Sequence, residues 1–126
     1  MKKLLFVPFL FACYLGIGQV FDPVSIIGKP TKVENMLVAN IDFPENMNWL
    51  DAKKACSELG KGWRLPNKIE LNVLYKNRIL IGGFEDVNYW SSTEHSIGAW
   101  LQFFAMGSQH NSGKASKYKV RAVRSI

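Results

Sequence analysis

Cysteine is scarce in this chain of 126 residues: it has two, Cys13 and Cys56. Cys13 falls inside an N-terminal apolar stretch, so the remainder holds one thiol and no internal disulfide. Histidine is as rare, with only His95 and His110. No His, Cys, Asp and Glu spacing suits a metal, and no glycine-rich phosphate loop occurs. Neither a metal nor a cofactor is therefore expected, and catalysis is not the expected activity. A thiol enzyme would need Cys56, on the apolar stripe of a helix, to become an exposed thiolate. Apolar runs are short too, the longest being Leu4 to Ile17 at fourteen residues. A helix crossing a bilayer needs roughly 20. Acid is missing from the last part of the sequence, with none after Glu94.

What is present at the N-terminus reads as an export signal over residues 1–18. Met1-Lys2-Lys3 is a short positive start, Leu4 to Ile17 has the length of a signal core, and Gly16-Ile17-Gly18 offers small residues before Gln19. Leu10-Phe11-Ala12-Cys13 gives an alternative, a lipid anchor at Cys13, and an uncleaved anchor is a third. The expected location is thus secreted, periplasmic or cell-surface, with membrane contact only through such a lipid. Removing residues 1–18 leaves 108 residues, enough for one domain, and twelve aromatics that can build its core.

Charge is unevenly placed. From Gln19 to Glu94, nine basic and ten acidic residues nearly cancel, whereas His95 to Ile126 carries Lys114, Lys117, Lys119, Arg121 and Arg124 unopposed. Such a segment suits anionic partners, or is simply a solvated strand and loop. An exported chain without a nucleic-acid motif is not expected to bind nucleic acid.

Residues 19–36 read as a lead-in, because Pro23, Gly28 and Pro30 interrupt regular structure. Leu37-Val38-Ala39 is a short strand candidate. Asn48 caps a first helix whose Trp49, Ala52, Cys56 and Leu59 share one face, with a stop at Gly60. After the extended Gly62-Trp63-Arg64-Leu65-Pro66, Asn67 and Glu70 form a capping-box pattern for a second helix, with Ile69, Leu71, Leu74 and Tyr75 as its apolar side. Strands are expected at Tyr89–Thr93, Ala99–Ala105 and Lys119–Arg124, with a polar loop over Gly107–Lys117. Two helices followed by an antiparallel sheet make an α+β domain over residues 37–126.

The blocks Asn48-Trp49, Gly62-Trp63-Arg64-Leu65-Pro66, Gly82-Gly83-Phe84, Tyr89-Trp90-Ser91-Ser92-Thr93-Glu94, Ala99-Trp100 and Val120-Arg121-Ala122-Val123-Arg124 occur in one order. This series resembles the Lcl-type C-terminal domain family of a collagen-like bacterial adhesin, over about residues 28–126. The resemblance implies a C-type lectin-like fold, with two helices on a twisted antiparallel sheet and long C-terminal loops. It also implies a non-enzymatic binding module. The chain departs from calcium-binding lectins in lacking paired disulfides and Glu-Pro-Asn or Gln-Pro-Asp triplets.

The candidate site lies in the 95–118 region. Strand alternation puts Trp100, Gln102 and Phe104 on one face and Leu101, Phe103 and Ala105 on the other. The resemblance places Trp100 and Phe104 on the core side. Trp49, Trp63, Trp90 and Trp100 could stack on sugar rings, while their helix and strand positions read as core. If the opposite face is open, Leu101, Phe103 and Met106 form an apolar patch. Gln109, His110, Asn111, Lys114 and Lys117 would then supply hydrogen bonds and charge. If the lead-in covers it, these apolar residues are core. The expected ligand is a glycan, neutral or anionic, or a protein surface. The alternative is an envelope assembly protein that docks a partner through Leu101, Phe103 and Met106. Two further features have a ligand reading beside a plainer structural one. Arg64 could grip a carboxylate or sulfate, or form an ion pair with Glu70 or Glu94. Glu85, Asp86 and Asn88 could offer oxygens to a hard cation such as calcium, or form a capped turn.

Overall fold

Asp22 followed by Pro23 starts a short helix, because the carboxylate can accept the Val24 N–H while proline needs no partner for its own nitrogen. In the computed structural model, which describes residues 21–126, this helix is α1 (Pro23–Ile27). The expected signal at 1–18, with Cys13, lies outside the described residues. Gly28 ends α1 at φ 52°, where a Cβ would sit 2.7 Å from that of Asn40. The lead-in is therefore structured: it continues into β1 (Thr31–Val33), which pairs with β2 (Met36–Val38). Proline and glycine here cap elements instead of preventing them.

The two main helices start where their caps predict. Asn48 accepts the Asp51 N–H at the start of α2 (Trp49–Ser57), which buries Trp49, Ala52, Ala55 and Cys56. After β3 (Trp63–Arg64), the reciprocal Asn67 and Glu70 bonds open α3 (Lys68–Lys76). Leu71 and Leu74 are buried as expected, whereas Ile69 is 76% exposed. Position 69 lies on the solvent side once Leu71 and Leu74 face inward. A further turn, α4 (Arg78–Ile81), follows directly.

The strands make two sheets. The last strand, β7 (Val123–Ser125), inserts between β2 and β3, so that the order is β1-β2-β7-β3 and the two ends of the described chain meet. The expected strand over Lys119–Arg124 is a ladder only at its end. Before that, the carbonyls of Val120 and Ala122 receive the N–H groups of Phe43 and Ala39. The second sheet is antiparallel, β4 (Asn88–His95), β5 (Gly98–Phe103) and β6 (Gln109–Gly113). Strand β6 occupies much of the expected Gly107–Lys117 loop. Its sequence, Gln-His-Asn-Ser-Gly, has no apolar alternation because it is an edge strand in contact with water. Gly98 is required there: a Cβ would approach the Ser112 carbonyl oxygen to 2.4 Å.

Two buried clusters hold these layers together. The larger joins Phe21 and Ile26 of the lead-in with Phe43, Trp49, Trp63, Trp90 and Leu101. The smaller combines Val33, Met36, Val38, Leu71, Leu74, Tyr89, Phe104 and Val123. Burial of each large aliphatic or aromatic side chain contributes about 1.5–3 kcal/mol, which suffices without a disulfide. Among the described residues no helix is long and apolar enough to cross a membrane.

Candidate functional site

Strand β5 is the middle strand of its sheet; one face packs into the core and the other is only partly covered by α3. Ala99 and Leu101 point into the larger cluster, where Leu101 is 3% exposed. Trp100 and Gln102 point the other way, toward α3. Gln102 is buried and donates to Asn72 Oδ1 at 2.9 Å and to the Gly107 carbonyl at 3.0 Å. Gln109, its cross-strand partner, donates to Gln102 Oε1 and to the Lys68 carbonyl. These amides form a polar seam that fixes α3 on the sheet, since buried amides left unpaired would be costly.

This register corrects two expectations. Leu101 is core and unavailable to a ligand, so the apolar patch loses its centre. Trp100 does not share the core side with Phe104. It lies half-buried on the α3 side, while Trp49, Trp63 and Trp90 are buried. The chain leaves the ladder after Phe103, and Phe104 stacks instead with Phe84 and Tyr89 at centroid distances of 4.7 and 4.5 Å.

Around Trp100 the structure gathers groups able to hold a ligand. Lys68 Nζ lies 3.4 Å from the ring centroid, and the His95 imidazole meets the ring edge-on at 5.0 Å. Asn111 is the cross-strand neighbour of Trp100, and its side chain is exposed. Lys68 makes no ion pair among the described residues. An exposed cation–π contact is worth about 0.5–1 kcal/mol, so the ammonium can leave the ring at low cost. The surface is shallow, with no enclosed cavity among the described residues.

The other expected site residues scatter. Phe103 is half-buried and Met106 is 77% exposed in the turn after β5. His110 is exposed on the sheet face opposite Trp100, with Nε2 2.9 Å from Ser108 Oγ. Lys114 pairs with Glu94 and rests 4.4 Å from the Trp49 ring centroid, and Lys117 is exposed in the following loop. Gln109 and Asn111 thus belong with Trp100, while His110 and Lys114 do not. Sequence reasoning passed over Lys68 and, of the two readings of Trp100, sugar stacking and core, favoured core. The available signal was Gln102, a polar side chain two residues on, which marks that face as something other than apolar core.

The unopposed cationic segment is opposed once folded. Lys114 meets Glu94, Lys119 meets Glu85 at 3.3 Å, and Arg121 meets Asp42 at 2.7 Å. Lys114 holds the Glu94 carboxyl below its ordinary range, by hydrogen bond and by charge. Of the five cations, Lys117 and Arg124 alone lack an acidic partner among the described residues. Acids distant in sequence thus cancel an asymmetry that is real only along the chain.

Arg121 is 1% exposed, and its guanidinium also donates to the Ala39 and Gly82 carbonyls and covers the Phe84 ring. Asp42 accepts from the Tyr89 hydroxyl at 2.6 Å, which in turn receives the Glu85 N–H. Burial raises the Asp42 carboxyl above its ordinary value, against the opposing pull of Arg121. The network fixes the 82–85 segment. Arg64 grips Glu70 with both nitrogens, as its structural reading expects. Cys56 is fully buried, and burial pushes its thiol far up, so no thiolate nucleophile is available there. Among the described residues no three His, Cys, Asp or Glu side chains group as metal ligands.

Comparison with solved structures finds C-type lectin-like proteins. Convulxin, a snake venom toxin, shares 12% identity over 79% of this chain and 96% of its own, with a TM-score of 0.60. A chain of the complex between botrocetin and a von Willebrand factor A1 domain mutant gives 12%, 79%, 98% and 0.59. EMS16, an antagonist of the collagen receptor integrin α2β1, gives 12%, 79%, 98% and 0.58. At such identity the likeness speaks for the fold alone. No curated protein sequence matches the chain. The model of the Lcl C-terminal domain matches residues 31–124, from β1 to β7. With its helices, paired antiparallel sheets and terminal strands joined in one ladder, the chain belongs to the Lcl C-terminal domain family and has a C-type lectin-like α+β fold.

Proposed function

We propose that this protein is an exported, non-enzymatic binding module that recognises a glycan on the sheet face around Trp100. The observation that carries the reading is the placement of that side chain. Three of the four tryptophans are buried, and the fourth stands half-exposed beside a cation and exposed polar groups. A flat aromatic ring offers an apolar surface to the C–H face of a sugar. Asn111 and His95 supply hydrogen bonds at its margin, and Lys68 can move from the ring to an acidic substituent. The neighbours in fold include proteins described by what they bind, which supports binding over catalysis. A protein ligand on the same face is the second reading, favoured by the description of EMS16 as an integrin antagonist. Docking through Leu101, Phe103 and Met106 loses support with Leu101 buried.

The test is a glycan array probed with the parent and with Trp100→Ala and Asn111→Ala. Loss of about one stacked ring, ~1 kcal/mol or more, should weaken capture at least fivefold for Trp100→Ala. Equal profiles would remove this face from consideration. N-terminal mass spectrometry of the exported protein tests the export reading: it should begin at Gln19, or at a lipidated Cys13 if the anchor is used.

A further inference from the structure

The loop of the β4–β5 hairpin departs from two rules at once. His95 pairs with Gly98, leaving Ser96 and Ile97 as a two-residue connection. The favoured loops of this length have positive φ at their first residue and draw glycine or asparagine there. Here a serine takes that place, at φ 54°. The second residue, Ile97, is 90% exposed, more than any other large hydrophobic described. A β-branched aliphatic held out at the end of a hairpin adds nothing to the core. Backbone strain beside such a group points to a contact outside the chain.

The surroundings indicate what the contact is. The first N–H of α2, from Trp49, donates to the Lys114 carbonyl, and the first of α3, from Lys68, donates to Thr93 Oγ1. Both helices therefore begin at this end of the sheet, and their first turns carry Leu50 at 67% and Ile69 at 76% exposure. Lys53, Lys68 and Lys114 stand at the same end, over the rings of Trp49 and Trp100. Lys114 is paired with Glu94 and Glu70 with Arg64, which leaves Lys53 and Lys68 without an ion pair among the described residues, against Asp51 alone. Exposed aliphatic groups ringed by lysines, whose flexible stems let ammonium groups reach sideways, match a surface of anionic lipid.

We propose that this end of the domain docks on an anionic phospholipid bilayer, with Ile97 entering the boundary of the acyl chains and Lys53 and Lys68 meeting headgroup phosphates. Lys68 is shared with the glycan reading, but Ile97 and Lys53 are not, so loss of vesicle binding at Ile97 and loss of glycan capture at Trp100 are separate outcomes. The test uses the protein as purified from its host, sedimented with vesicles of phosphatidylcholine alone or with 30% phosphatidylglycerol. The expected result is binding to the anionic vesicles that falls with added salt. Ile97→Asp should reduce it about tenfold with unchanged thermal melting, since the side chain lies outside the core. Lys53→Gln/Lys68→Gln should weaken it in the same direction. Ile79→Asp, at the similarly exposed Ile79 of α4, should leave it unchanged. In an Ile97→Trp variant, emission should shift to the blue on anionic vesicles only. Absence of vesicle binding, or binding by Ile97→Asp equal to the parent, overturns the proposal. So does loss of a protein partner in Ile97→Asp without any lipid binding, which would make the tip a protein contact.

Discussion

Arg121 illustrates how a residue changes meaning between chain and fold. Along the sequence it is one of five unopposed cations. In the structure it is sealed between Asp42, two carbonyls and the Phe84 ring. Removing one member of a buried ion pair leaves the other charge unpaired, at a cost of about 3–5 kcal/mol. Arg121→Met should therefore lower the unfolding free energy by that amount, measured by denaturant titration. Asp42→Asn/Arg121→Met should recover part of it, because no lone charge remains. Trp100 makes the complementary case, a residue type normally consigned to the core that the register leaves at the surface.

At the scale of elements, the joint between β3 and α3 depends on one carboxylate. Glu70 closes the capping box on Asn67 and accepts both Arg64 nitrogens. The Arg64 hydrogen bond chiefly holds its carboxyl below the ordinary value. A carboxylate with a depressed folded-state pKa stabilises the fold above its unfolded pKa, about 4.3, and loses that contribution as pH falls through the lower folded value. The parent should therefore lose more stability than Glu70→Gln on acidification from pH 6 to pH 3. The difference should be below about 1 kcal/mol, because the pair is partly exposed and solvent screens it. Equal acid sensitivity would show that the pair contributes nothing. The helices α2 and α3 were legible because caps and a 3.6-residue apolar period are local properties. Strand β6 was not, since an edge strand of five polar residues has the composition of a loop and acquires its identity from β5 alone.

For the molecule as a whole, closure rests on the last strand. β7 lies between β2 and β3, joining residues from opposite ends of the described chain. Deleting residues 121–126 should abolish cooperative unfolding in calorimetry, since it removes both this strand and the partner of Asp42. A retained sharp transition would contradict the central place given to β7. Family and fold class were readable from ordered short blocks, because each marks a local cap, turn or core segment. The sequence by itself determined the starts of α2 and α3, the buried stripe bearing Cys56 and the α+β order, all of which follow from interactions within a few residues. Only the tertiary structure decided that Leu101 is core, that Trp100 faces out and that the terminal cations are matched. Those outcomes depend on register and on acids far away in the chain, and no local pattern specifies either.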